Sequence, residues 1–296
     1  MDTPLVSVLM TVYNREKFIA EAIESVLASS YQNWELIIVD DRSTDSSVEI
    51  ARRYEQADAR IKVFINEHNL GDYPNRNKAA SYAKGKYLKY LDSDDLIYPH
   101  GLNLMVAAME KFPEAAIGMS NFQEDEQQQF PYSFSSGEAY YQHFLRKGLL
   151  YSGPTGAIYR ASSFFELKGF DAQYSVATDM DFNLKCAKLG PVAIFQRDLF
   201  WWRPHEGQEI NLRQHEYESF NDKINKIHLS GSDCPLTEKD RKVAYFNLKN
   251  IQARRAMSLL IRFNFVMALK KINDLSIPAK SLLICILPTR LRIQLY

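Results

Sequence analysis

Residues 34–47 read WELIIVDDRSTDSS. Five of them, Glu35–Val39, form a continuous apolar and β-branched run. Asp40 and Asp41 follow at once, and a helical pattern then covers Ser43 to Tyr54. A short apolar run that ends in carboxylates and turns into a helix is the signature of a buried strand feeding a crossover. The same unit repeats on both sides. Leu5–Met10 (LVSVLM) is a second buried strand. Asn14 is placed to cap a helix whose Phe18, Ile19, Ala22, Ile23, Val26 and Leu27 share one face. Ile61–Ile65 reads as strand, Pro74–Ala83 as helix and Lys86–Leu91 (KYLKYL) as strand. Alternation at this spacing predicts an α/β fold with a mostly parallel central sheet and helices on both faces. Such sheets bind ligands outside the carboxyl ends of their strands.

Beyond Pro99 the pattern changes. A helix is expected at Leu102–Phe112, a strand at Ala115–Met119, and a solvated loop at Glu124–Gln129 (EDEQQQ). A Gly- and aromatic-rich segment leads to Gly153–Tyr159, then to a helix from Thr178 to Leu189 and a strand at Val192–Phe195. From Leu236 onward helix dominates, and SGSDCP at 230–235 marks the boundary of a C-terminal extension. The expected organisation is therefore a first half over 1–97, a second half of the same domain over 98–230, and a helical, basic extension over 231–296.

Composition narrows the function. The 296 residues are 46% apolar and 24% charged, with 36 Lys+Arg against 36 Asp+Glu. A zero net charge argues against nucleic acid as a partner. The balance is uneven, because residues 251–296 hold eight basic residues and one acid, Asp274. Three scattered cysteines with no C-x-x-C spacing exclude a disulfide framework or a Cys-based zinc site. No secretory signal is legible, and no apolar run approaches the roughly 18–20 residues of a membrane span. A cytoplasmic protein is expected, with peripheral contact on the inner face of the membrane as a further option.

The acids gather where strands should end. Asp40 and Asp41 follow one strand, and Asp92, Asp94 and Asp95 (LDSDD) follow another. In an extended segment positions i and i+2 point the same way, so Asp92 and Asp94 converge. Hard oxygen donors of this kind suit Mn²⁺ or Mg²⁺. Taken alone, the string reads more readily as an acidic turn capping the next helix.

The wider context favours the first reading. PLVSVLMTVYNREKFIAEAIESVL, WELIIVDDRSTDSS and NLGDYPNRNKAASYAKGKYLKYLDSDD, in that order, resemble the family 2 glycosyltransferases of the GT-A fold. The resemblance implies that Thr11, Tyr13, Asp41 and Arg76 (followed by Asn77) contact the nucleotide. It implies that Asp92 approaches the ribose or the metal's water shell and that Asp94 ligates the metal. Family members more often have glycine where Arg42 stands. In the second half, GPTGAIYRASSFFELKGFDAQYSVATDMDFNLKCAKLG resembles the acceptor side of the family, with Asp179 matching the catalytic base and Thr178 replacing the usual glutamate. Trp202-Arg203-Pro204-His205 resembles the family's R-x-H segment, so Arg203 is expected near the diphosphate and His205 near the metal. The activity implied is inverting transfer from a nucleoside diphosphate sugar, a UDP-sugar by default, to a glycan or lipid-linked glycan of a surface polysaccharide. The basic C-terminal helices, with Leu282–Leu287, are candidates for peripheral membrane contact. The rival is a non-catalytic nucleotide- or carbohydrate-binding module on a degenerate fold, which Thr178 and Arg42 keep open. G-x-G-x-x-G and G-x-S-x-G are both absent, which removes dinucleotide and serine-hydrolase chemistry.

Overall fold

The computed structural model describes residues 3–120, 129–206, 208, 213–261, 264–274, 276–279 and 281–282. The chain divides into two compact units, Met1–Phe220 and Asn221–Tyr296. The helix Gln214–Ser230 runs across that division.

The first unit opens with β1 (Val6–Val12), α1 (Ile19–Leu27), β2 (Trp34–Asp40), α2 (Ser47–Ala57), β3 (Ile61–Ile65), α3 (Asp72–Ser81) and β4 (Tyr87–Tyr90). β1, β2 and β4 are buried almost throughout, as strands covered on both faces must be. Then come β5 (Leu96–Ile97), α4 (Gly101–Lys111), β6 (Ile117–Ser120), β7 (Tyr132–Phe134), α5 (Ser136–Tyr141), β8 (Ala157–Arg160), α6 (Ala161–Glu166), α7 (Thr178–Leu189), β9 (Val192–Phe195) and β10 (Phe200–Trp201). The strands of the main sheet run in the order β3-β2-β1-β4-β8-β6-β9-β7, while β10 and β5 form a separate ribbon.

The sheet has two characters. β3, β2, β1 and β4 are parallel neighbours. β8 then runs antiparallel to both β4 and β6, β6 pairs parallel with β9, and β7 closes the edge antiparallel to β9. The first half therefore matches the parallel sheet expected from the alternation, and the second half is mixed. Close approach between layers needs glycine at two points. A Cβ on Gly85 would lie 2.6 Å from the Ser7 nitrogen, and one on Gly118 would lie 2.9 Å from Met109 Sδ.

Helix boundaries shift by a few residues from expectation, and one difference has chemical content. Asn14 does not cap α1, which begins at Ile19 without a side-chain cap. Asn14 instead adopts φ 53° and accepts the Thr44 N–H at 2.9 Å, tying the loop after β1 to the loop after β2. Residues 124–128 of the expected EDEQQQ loop lie outside the described residues.

The second unit contains the helices Glu238–Ile261 and Phe265–Asp274. Ala253, Ala256 and Ile277 form its small core, with Ile272 and Leu282 packed on it. Phe265, Val266, Met267 and Leu269 are exposed. Of the apolar stretch Leu282–Leu287, only Leu282 is among the described residues. Among the described residues no helix is long and apolar enough to cross a membrane.

Candidate active site

The carboxyl ends of β1, β2 and β4 open onto one cavity of about 1280 Å³. Its lining includes Thr11, Tyr13, Asp41, Arg76, Asp92, Asp94 and Asp179. Seven residues singled out from sequence, drawn from five segments of the chain, are thus brought to one place. Arg203 and His205 stand just behind, touching the Asp92–Asp95 loop.

Asp41 is buried and fully engaged. Its Oδ1 accepts from Asn66 Nδ2 at 2.8 Å and Leu70 N at 2.7 Å, and its Oδ2 accepts from Gly71 N at 2.9 Å. Asn66 also donates to Asn75 Oδ1 at 2.9 Å, and Asn75 donates to the Val39 carbonyl at 3.1 Å. The strand-end carboxylate therefore fixes the loop that starts α3. Gly71 in that loop has φ 85°, a conformation an L side chain rarely adopts. Tyr13 is 49% exposed, its ring free to present a face to a ligand.

Arg76 is buried between two carboxylates. Its Nε donates to Asp72 Oδ1 at 2.8 Å, and its Nη1 lies 2.8 Å from Asp92 Oδ1. Burial disfavours the charged form of Asp92, but Arg76 beside it wins, and its carboxyl sits below the ordinary value. The neighbour Asn77 grips the Phe170 backbone with both side-chain atoms, Nδ2 to the carbonyl at 2.8 Å and Oδ1 to the N–H at 2.9 Å. That bond joins α3 to the turn that leads to α7.

Asp94 Oδ2 meets Arg15 Nε at 3.0 Å and His205 Nε2 at 3.1 Å. Asp95 is buried, and its Oδ1 accepts the Arg203 N–H at 3.0 Å. Burial, with the charges of Asp92 and Asp94, pushes its carboxyl up to about 7. The Arg203 guanidinium donates to the Asp94 carbonyl at 3.0 Å and to Glu21 at 2.6 Å. These contacts brace the acidic loop.

Beneath the loop lies Lys89, fully buried in β4. Its Nζ donates to the carbonyls of Tyr90 (2.8 Å) and Thr155. Burial pushes its amine down to about 7 against the pull of Asp92 and Asp95. Lys89 is a residue that sequence reasoning passes over, because a lysine in KYLKYL reads as the exposed face of a strand.

Asp179 stands in the first turn of α7. Burial raises its carboxyl to about 7, with the Met180 N–H and Arg76 opposing. Its own N–H donates to Tyr73 Oη at 3.4 Å. A Cβ on Gly153 would meet only its Oδ2, at 3.7 Å, so Gly153 lies directly alongside this carboxylate. Thr178 is buried and donates to the carbonyls of Asp171 (3.1 Å) and Ser175 (2.8 Å). It braces the turn before α7. The cavity lining also includes the aromatic side chains Tyr132, Phe134, Tyr151, Phe200 and Trp202, and the cation Arg146.

The chemistry of the donor set fits a divalent ion of the Mg²⁺ or Mn²⁺ kind. Among the described residues no three His, Cys, Asp or Glu side chains form a closed cage. A carboxylate at Asp94 with the imidazole of His205 beside it would leave most of a shell for phosphate oxygens and water. This is how such ions are usually held beside a nucleotide.

The sequence profile described as "Glycosyl transferase family 2" matches residues 7–167, more than half of the chain. The chain belongs to glycosyl transferase family 2. An uncharacterized glycosyltransferase of Haemophilus influenzae is 29% identical over 238 residues, covering 77% of this chain and 74% of that protein. The Escherichia coli protein named UDP-Glc:alpha-D-GlcNAc-diphosphoundecaprenol beta-1,3-glucosyltransferase WfgD is 40% identical over 111 residues, 38% of this chain and 43% of that one. With the E. coli protein and with EpsE of Bacillus subtilis, the match thus spans about two fifths of the relative's length. The solved structure of S. aureus TarS 1-349 in complex with UDP-GlcNAc superposes with a TM-score of 0.70 at 19% identity, over 93% of this chain and 82% of that one. That likeness establishes the GT-A fold for this member of family 2.

Proposed function

We propose that this family 2 member transfers a sugar, with inversion, from a nucleoside diphosphate sugar to a hydroxyl of a glycan or lipid-linked glycan in surface polysaccharide or glycolipid assembly. UDP-sugars are the donors favoured by the family resemblance and by the ligand named for TarS. The observation that carries the reading is one cavity holding Asp179 together with Asp92 and Asp94. A carboxylate with its pKa near neutrality can take a proton at physiological pH and release it again. In this reading Asp179 accepts the proton of the acceptor hydroxyl as that oxygen attacks the anomeric carbon, opposite the departing diphosphate. Tyr13, Thr11 and the loop held by Asp41 receive the base, and Arg76 fixes Asp92 toward the ribose. Asp94 and His205 are the residues to hold a divalent ion, which when bound stabilises the charge growing on the leaving diphosphate. Arg203 steadies their loop.

The aromatic side chains of the lining are suited to sugar rings, and the name of the E. coli relative makes a diphospholipid-linked sugar a reasonable acceptor. Peripheral membrane contact is part of the proposal. Exposed Phe265, Val266, Met267 and Leu269 beside Lys270 and Lys271 have the make-up of an interfacial helix. Sedimentation with anionic vesicles tests this part, and equal binding by the protein lacking 262–296 overturns it.

The transfer reading is tested by nucleoside diphosphate release from a panel of UDP-, GDP-, CDP- and TDP-sugars with Mn²⁺, using the parent and Asp179→Asn. One donor should turn over, and the variant should bind the matching nucleotide normally while losing about 10²–10⁴ in rate. Unchanged turnover in the variant removes Asp179 as the base. Nucleotide binding with no turnover of any donor, acceptors included, favours a binding module.

A further inference from the structure

Arg15 links the acidic loop after β4 to the turn after β1. Its Nε donates to Asp94 Oδ2 at 3.0 Å. Its Nη1 donates to the carbonyls of Tyr13 and Asn14, at 3.2 and 3.3 Å. One guanidinium thus spans from the acidic loop to the turn that presents Tyr13. That turn is a constrained one, with Asn14 at φ 53°. Arg15 itself lines the cavity.

Asp92 and Asp94 each have an arginine partner, but the two arginines differ. Arg76 is clamped between Asp72 and Asp92, and its side chain is 10% exposed. Arg15 has one carboxylate partner, and its side chain is 32% exposed. Asp94 Oδ2 already receives Arg15 and His205. A divalent ion bound to a carboxylate oxygen sits about 2.0–2.1 Å from it for Mg²⁺. A guanidinium on the same oxygen would then be held against a double positive charge at close range.

We propose that Arg15 is the resident counter-cation of Asp94, that a divalent ion displaces it, and that the displaced guanidinium turns to the diphosphate of the donor. The inference rests on the reading of this cavity as a metal-assisted nucleoside diphosphate sugar site. It adds a positioning residue that makes metal entry, diphosphate binding and the Tyr13 turn energetically interdependent. Metal on either oxygen of Asp94 brings a double positive charge within a few ångström of the Arg15 guanidinium and so works against the Arg15–Asp94 pair. Metal with nucleotide gives Arg15 a new anionic partner. The nucleotide therefore strengthens metal binding by more than its own phosphate ligands supply, and by linkage the metal strengthens nucleotide binding equally.

The test is Mn²⁺ affinity, read from the electron paramagnetic resonance signal of the free ion, with and without UDP. The proteins are the parent, Arg15→Gln, Arg15→Lys and Asp94→Asn. Without UDP, Arg15→Gln should bind Mn²⁺ about tenfold more tightly than the parent, since the competitor is gone. The gain in Mn²⁺ affinity on adding UDP should shrink by a similar factor. Arg15→Lys should fall between, because one ammonium keeps the charge but cannot hold the carboxylate and both carbonyls at once. A role limited to supporting the fold would weaken metal binding and never tighten it. Equal or weaker Mn²⁺ binding in Arg15→Gln, with binding abolished in Asp94→Asn, overturns the inference and leaves the site reading standing. Failure of the parent to bind Mn²⁺ with UDP, or undiminished binding in Asp94→Asn, overturns both.

Discussion

Single residues carry the chemistry here through the company they keep. Asp179 has its proton affinity raised by burial to about 7, so the fraction able to act as a base grows across neutral pH. The kcat/KM of transfer should therefore climb with pH through a midpoint near 7, and Asp95→Asn should retain that limb. A profile flat from about pH 5 to 9 would show that proton acceptance by Asp179 does not control the rate. Arg42 tells a different story. It holds φ 70°, a left-handed conformation that glycine adopts freely, at the position where the family more often has glycine. Arg42→Gly should raise stability by about 1 kcal/mol in urea unfolding, the relieved strain less the entropy glycine adds to the unfolded chain. The aspartates at strand ends were legible in the sequence because they follow β-branched runs within a longer string that resembles the family, although an acidic turn alone has a structural reading as a helix cap. The duties of Asp41 were not. Its three donors come from Asn66, Leu70 and Gly71, and a contact across 25 to 30 residues leaves no local pattern. Arg15 was hidden for the same reason, since Asp94 lies 79 positions away.

Elements position these residues by close packing at a few small side chains. Gly85 enters β4 with its α-carbon against the β1 backbone, where a methyl group would face the Ser7 nitrogen at 2.6 Å and the Leu5 carbonyl at 2.8 Å. Gly153 is the opposite case. It has φ −65° and ψ 169°, which alanine accepts, and a methyl group there would touch only Asp179 Oδ2. Gly153→Ala should leave the melting temperature within about 1 °C of the parent and slow transfer roughly 10–100-fold, by crowding the acceptor's path to the base. A normal rate in that variant would place the acceptor's approach elsewhere. The parallel elements were readable because their apolar runs are continuous and their crossovers regular. β7, with only three residues, and the helix Ser136–Tyr141 were missed. Their short aromatic segments show neither a period of two nor one of 3.6 for long enough to distinguish them from loop.

At the scale of the whole molecule, Asp95 and Asp179 oppose Lys89 in their pH dependence. Asp95 and Asp179 have folded values near 7, above the ordinary carboxylate value, so the folded chain binds more protons than the unfolded one between about pH 4 and 7. Their contribution to stability is present at low pH and is lost over that interval. Lys89 has its folded value lowered to about 7. Between about pH 7 and 10 the unfolded chain binds the extra proton, so this contribution rises with pH. Urea midpoints should consequently increase from about pH 7 to 9 in the parent. In Lys89→Met they should be lower overall, since the Tyr90 and Thr155 carbonyls lose their donor, and flat over the same interval. A parallel rise in the variant would assign the effect to other groups. No pattern in KYLKYL distinguishes a buried lysine from an exposed one, so this balance emerges only when the strand has neighbours on both sides.

The join between the parallel and mixed halves of the sheet is narrow. β4 and β8 share only two register pairs, Tyr87 with Arg160 and Leu88 with Tyr159. Lys89 adds a stitch from β4 to the Thr155 carbonyl just before β8. A seam this thin separates hydrogen-exchange behaviour into two protected blocks, with the amides of β1 and β2 slowest on one side and those of β6 and β9 on the other. Deuterium should enter the 155–160 segment before either block opens. Occupying both ends of the cavity should slow that uptake more than filling either end alone, so the seam would report the moment at which two substrates are held by one protein.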